Sequence, residues 1–274
     1  MPPSSMNDLF QFLSNLLTTN SNTFQAIGMN LFRGFALILI VWFGAKSALS
    51  AASGGPAFRL DHLAQLLLTI AFGFAMITYY SQPIPGFGVS FHSLIANEGL
   101  GLANTLNNGL TDQIFQRLDS IYFSLEIPVI AFDAIAILHY ILIVAMILLL
   151  EAAVFFVISF GYIAAAIAVL LGPVFIPFFI VPKMEWLFWG WFKAFLQYSF
   201  YPVVANAYLY VFGNMLIHLV DSHPPPYDGP AIALLFAPLL FLLIAFVYGV
   251  VKIPSLVSSL FSGSSGESVV PKIL

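Results

Sequence analysis

Two carboxylates, Asp133 and Glu151, stand inside otherwise continuous apolar sequence and have the best claim to chemistry. They are eighteen residues apart, which is five full helical turns. On one helix they would share a face about 27 Å apart, a spacing that suits the two ends of a proton or ion path. A relay also needs carriers between them, and His139 falls roughly 120° off that face. The simpler expectation is that both point into a subunit assembly, with Glu151 protonated or paired and Asp133 close to the lipid headgroups. No other constellation competes with this pair. The histidines His62, His92, His139, His218 and His223 show no ligand spacing, and the H-E-x-x-H, P-loop and G-x-S-x-G patterns are missing. Gly99-Leu100-Gly101 starts like a dinucleotide-binding turn, but no strand precedes it and no third glycine falls in register. The expectation is a protein that is not an enzyme, with no catalytic, cofactor or metal site.

The elements that carry such residues must be membrane helices. Of 274 residues, 61% are hydrophobic and 7% charged, where a soluble domain carries roughly 25% charged residues. Eight Lys/Arg and twelve Asp/Glu cannot keep a surface of this size in water, so most of it faces lipid or other subunits. A net charge of −4 without any basic run excludes a tight electrostatic grip on nucleic acid. With no cysteine there is no disulfide frame and no thiolate metal site.

Spanning requires about 20 mostly apolar residues as a helix, because lipid offers backbone groups no partner. The fold class expected is all-α: a polytopic membrane helix bundle of about five transmembrane helices, with an N-terminal amphipathic helix and one long external loop. Residues 1–26 form the N-terminal segment, read as mature protein because no cation precedes Arg33. Within it, Leu9, Phe10, Leu13, Leu16 and Leu17 recur at helical spacing behind Ser5, and the polar run from Thr18 to Thr23 is expected to end that helix. Residues 27–80 hold two spans, about Ile27–Leu49 and His62–Tyr80, the second closing on Tyr79–Tyr80 as an aromatic boundary. Residues 81–126 are the external loop. In 127–182 a single long helix is expected to run from Ile127 to Gly172–Pro173, since Met146 to Val157 offers no Gly, Pro, Asn or Asp for a hairpin. Residues 183–251 contain an aromatic segment and two more spans, Phe195–Val220 and Ala231–Val251, and 252–274 form the tail.

Orientation follows the cations. With the N-terminus periplasmic and five crossings, Lys46, Arg59, Lys183, Lys193, Lys252 and Lys272 fall in the cytoplasm, Arg33 and Arg117 outside. Six crossings with the chain inverted give the same split, so the missing turn chooses, not the charge. Ala164, Ala168 and Gly172, followed by Pro173, repeat a small residue every four positions, as do Gly44, Ala48 and Ala52; such stripes let helix backbones approach within one chain or between chains. In the loop, Leu102, Leu106, Leu110, Ile114 and Leu118 recur every four residues, which reads as one amphipathic helix that either docks a partner or caps the bundle. Lys183, Trp186, Trp189, Trp191 and Lys193 read as a helix lying in the cytoplasmic membrane interface.

The run Leu170-Leu171-Gly172-Pro173-Val174-Phe175-Ile176, then Pro182, the three tryptophans, and Phe195-Leu196-Gln197-Tyr198 entering the next span resembles the TrbL-type polytopic inner-membrane subunit of bacterial type IV secretion and conjugation systems. The resemblance centres on residues 150–215, and the order of spans with one large external loop agrees over most of the chain. It implies a ring-forming, non-enzymatic homo-oligomer in the inner membrane at the base of the extracytoplasmic stalk. Its implied partners are stalk and pilin subunits, other inner-membrane secretion proteins and lipids, with transient contact to the DNA or protein being translocated, and with energy from separate ATPases. A secondary transporter or ion channel is the competing class, although it calls for matched helix breaks in two halves.

Overall fold

The computed structural model describes residues 3–54, 60–107, 109–125, 134–224 and 229–262. The chain is all-α, with no strand among these residues. Its helices are α1 (Pro3–Ala52), α2 (Leu60–Thr78), α3 (Phe91–Asn107), α4 (Leu110–Ser124), α5 (Ala134–Phe175), a 3-10 helix (Ile176–Ile180), α6 (Glu185–Asp221) and α7 (Gly229–Ser262). All but α3 and α4 among the α-helices contain a stretch long and apolar enough to cross a membrane, five in all.

The absence of turn residues around Glu151 has the expected consequence: α5 runs through that position without a break. At 42 residues it is about 63 Å long, twice the roughly 30 Å of hydrocarbon. The expected start at Ile127, and Asp133 with it, lie outside the described residues.

Five boundaries differ from the sequence reading: the last helix, expected to end at Val251, runs on through the start of the expected tail to Ser262, and four others shift for a local reason. The polar run Thr18–Thr23 does not end the first helix, because Thr, Ser and Asn cost a helix only tenths of a kcal/mol each and neither Gly nor Pro stands there. The stripe from Leu102 to Leu118 is two helices, α3 and α4, parted at Gly109, whose φ of +77° is a left-handed conformation that suits glycine. The α-helix does not stop at Gly172–Pro173 but continues to Phe175 before tightening into the 3-10 turn. The aromatic segment is not a separate in-plane helix; it is the start of α6, continuous with the following span, with Glu185 in its first turn and His218 in its last complementing the helix dipole.

The chain divides into two compact units. One comprises residues 1–10, 99–163 and 200–274. Here Leu110, Ile114, Phe115, Leu118 and Ile121 of α4 bury against Ile143–Ile158 of α5, Leu209–Val220 of α6 and Leu235–Phe246 of α7. Gly213 makes the room, since a Cβ there would meet Ile114 Cδ1 at 2.6 Å. Tyr208 Oη donates to the carbonyls of Ala245 (3.1 Å) and Phe246 (2.8 Å), over Gly249, where a Cβ would overlap the phenol. Tyr201 lies likewise on Gly161. Arg117 pairs with Asp221 at 3.1 Å, which ties the loop segment to the end of α6 on one side of the bundle, as five crossings require. Both side chains are half exposed, so Arg117→Glu should cost no more than about 1 kcal/mol in thermal unfolding. The swapped pair Arg117→Glu with Asp221→Arg should recover the parent value.

The other unit comprises residues 11–98 and 164–199. Its core joins Phe32 of α1, Met76 and Ile77 of α2, Tyr80, Ala168, Ile176 and Ile180, and Phe188, Trp191 and Phe195 of α6.

Candidate functional site

The second unit is organised around the helix break that the sequence marks with Gly172–Pro173. Proline has no N–H, so the carbonyl four residues earlier, that of Val169, loses its helical donor. Tyr80 Oη supplies the replacement at 2.5 Å, and Trp191 Nε1 donates to the neighbouring carbonyl of Ala168 at 2.9 Å. Both aromatic groups reach the backbone because Gly172 has no side chain: a Cβ there would stand 2.0 Å from Tyr80 Oη and 2.7 Å from Trp191 Cζ2. On α1, Gly28 allows equally close approach, its Cβ position being 2.0 Å from the Pro173 carbonyl oxygen. Gly73 of α2 does the same between Phe32 and Ile180.

Tyr80 is held at its other end as well. The His92 backbone N–H and ring Nδ1 both point at the Tyr80 carbonyl (3.4 and 2.5 Å), and a nitrogen facing a carbonyl carries the proton. The imidazole stacks on the phenol with centroids 5.3 Å apart. Ser90 Oγ, 3.2 Å from Nδ1, and Ser93 complete a short network at the start of α3. The Tyr80 hydroxyl faces a carbonyl and is the donor of that bond. Tyr80→Phe leaves the Val169 carbonyl without its donor and should cost about 1–3 kcal/mol in thermal unfolding, with membrane insertion retained.

The expected site residues fall into different settings. Ala168, Gly172 and Pro173 are buried and take up Tyr80, Trp191 and Gly28 of the same chain, while Ala164 is half buried. The tryptophans separate: Trp186 and Trp189 are 66% and 52% exposed, as interface residues would be, whereas Trp191 at 6% belongs to the core, its ring stacked on Phe195. A tryptophan whose N–H meets a carbonyl can be buried, which corrects its assignment to the interface. Lys183 and Lys193 are exposed. Of the loop stripe, Leu110, Ile114 and Leu118 are core residues, Leu106 is half buried and Leu102 is 53% exposed. A docking surface therefore cannot use the three buried members. Glu151 is half buried on α5. Among the described residues no three His, Cys, Asp or Glu side chains gather as a metal site. The sequence reading missed Tyr80 as a functional contact, although a proline inside a helix signals a carbonyl in need of an outside donor.

What this arrangement does is mechanical: it fixes a broken helix to its neighbours through backbone carbonyls. Among curated proteins none matches the chain. The family model of the TrbL/VirB6 plasmid conjugal transfer protein does, over residues 36–253, a stretch that takes in the break, its tyrosine and tryptophan donors and all of α2 to α6. With far more than half of its length matched and five helices able to cross the bilayer, the chain belongs to the TrbL/VirB6 conjugal transfer family and is a multi-pass inner-membrane component of the conjugation and type IV secretion machinery.

Proposed function

We propose that the protein works without catalysis of its own, as a ring of identical subunits that anchors the stalk and pilus base and contributes to pilus assembly and to passage of DNA or protein. One observation carries this reading. α5 is about 63 Å long, and Ile135, Leu138 and Ile141 on it are exposed, as are Leu37, Ile38, Val41 and Trp42 on α1. Lipid covers only about 30 Å of such a rod, so part of this apolar surface has to meet protein. Gly44 on α1, with nothing within 4 Å of its Cβ position, offers one such meeting point. Leu102, exposed on α3, is a contact point on the loop open to the stalk.

The test is complementation of a deletion strain in a mating assay together with native mass spectrometry in detergent. Loss of transfer on deletion and a species larger than a dimer support the proposal; a monomer or dimer would favour a transporter or channel. Orientation is read from Ser120→Cys in the cysteine-free chain. Labelling only from the periplasmic side supports a periplasmic N-terminus and cytoplasmic C-terminus, and labelling only from the cytoplasm overturns it.

A further inference from the structure

Phe87 stands in the turn between α2 and α3 and is 73% exposed. The turn that presents it is closed by its own backbone. The Ile84 amide donates to the Val89 carbonyl (2.9 Å), and the Phe87 and Gly88 amides donate back to the carbonyl of Ile84 (3.0 and 3.2 Å). Gly86 and Gly88, on either side of the phenylalanine, take left-handed conformations with φ of +87° and +72°, which glycine adopts without strain. Pro83 and Pro85 fix their own φ angles on the way in. An aromatic side chain is held out from the fold on a stiff support, so little backbone freedom is left to lose when its ring is covered.

The place of this turn decides what covers the ring. α2 is 19 residues long, about 28 Å, which only just matches the roughly 30 Å of hydrocarbon. A crossing α2 has no length to spare, so the chain leaves the apolar layer at Tyr79. From Leu66 to Thr78 every exposed residue of α2 is apolar: Leu67, Leu68, Ala71, Phe72 and Phe74. That lipid-facing surface continues into the turn, where Pro83, Pro85, Phe87 and Val89 are exposed. No Asp, Glu, Lys or Arg occurs from His62 to Asn97, and Glu98 on α3 is the first charge after this run. An uncharged apolar turn beside the headgroups sheds its water by entering the lipid, and it takes no charge in with it.

We propose that Phe87 inserts into the headgroup and upper acyl region of the bilayer as the anchor of a lipid-binding turn. Its partner is a phospholipid surface, continuous with the one that α2 already meets. The anchor also acts on the clasp at the helix break. The Phe91 and His92 amides donate to the carbonyls of Tyr79 and Tyr80 (2.9 and 3.4 Å), so the seated turn holds the tyrosine that satisfies Val169 at a fixed distance from the membrane surface. This inference does not depend on the secretion reading.

The chain has no cysteine, so Phe87→Cys takes a single environment-sensitive NBD label in the full-length protein, reconstituted into vesicles of phosphatidylethanolamine and phosphatidylglycerol. Phe87 is exposed, and its replacement leaves the core intact. Glu98→Cys, exposed on α3, is the aqueous reference. The label on Phe87→Cys should emit at shorter wavelength than the one on Glu98→Cys, lose intensity to lipids that carry a nitroxide near the top of the acyl chain, and resist iodide. Iodide quenching as strong as at the reference, with nitroxide lipids without effect, overturns the proposal. A blue-shifted label that neither quencher reaches overturns it as well, because protein then covers the ring.

Discussion

Gly172→Leu is expected to abolish accumulation of folded protein and to reduce transfer at least about 100-fold, because the position has no space for a side chain and two hydrogen bonds depend on it. A Cβ would overlap the Tyr80 hydroxyl, and the rest of a leucine would drive both Tyr80 and Trp191 away from the α5 backbone. Overpacking costs about 1–3 kcal/mol and the Val169 carbonyl left without a donor about as much again. A combined loss of about 2–6 kcal/mol is a large share of a total stability near 5–15 kcal/mol, and in cells such a loss lowers the amount of protein before it touches mechanism. Gly190→Ala is the control, since nothing lies within 4 Å of that Cβ position on α6; it should leave the protein unchanged or gain up to about 1 kcal/mol. Tyr80→Phe should not rescue Gly172→Ala, because the ring carbon Cζ would still stand 2.4 Å from the new methyl. If Gly172→Leu melts with the parent protein in detergent, the close approach at the break is not needed for the fold.

The second large effect separates the two roles open to the loop. Leu118→Asp places a carboxyl in the core formed by α4, α5, α6 and α7, where Leu118 is fully buried in an apolar cluster. A buried acid without partners costs several kcal/mol even after it takes up a proton, so the variant should be missing from the membrane fraction. Leu102→Asp, on the exposed side of α3, should leave the amount of protein and its melting unchanged and lower transfer only if that surface meets the stalk. Equal accumulation of Leu118→Asp and the parent protein would show that α4 does not belong to the core.

Which parts were legible in the sequence follows from how local the signals are. The unbroken α5 was legible because a turn needs particular residues and Met146 to Val157 has none of them. The count of five spans was legible because hydrocarbon thickness sets a length that apolar runs either reach or do not. The break at Gly109 was obscured because Asn107 and Asn108 also suit the polar face of an amphipathic helix, so the four-residue stripe could be drawn across them. Burial of Trp191 beside exposed Trp186 and Trp189 was not legible, since an aromatic near cations fits the interface until a carbonyl partner is known. The clasp at Gly172 was half legible. Glycine and proline announced the break, but the donor that satisfies it comes from 89 residues away, and nothing local to either end names the other.

Tyr80 and Tyr208, which donate to a helix backbone beside a glycine, come earlier in the chain than their acceptors: Tyr80 before Val169, and Tyr208 before Ala245 and Phe246. Ribosomes deliver the amino-terminal part first. A lone hydroxyl at a helix end waits in the headgroup region at little cost, whereas a proline-stripped carbonyl arriving in hydrocarbon with no donor at hand would stall insertion. This ordering gives the more demanding group a ready mate at birth, so truncations that remove α2 should harm biogenesis of α5 more than truncations that remove α7.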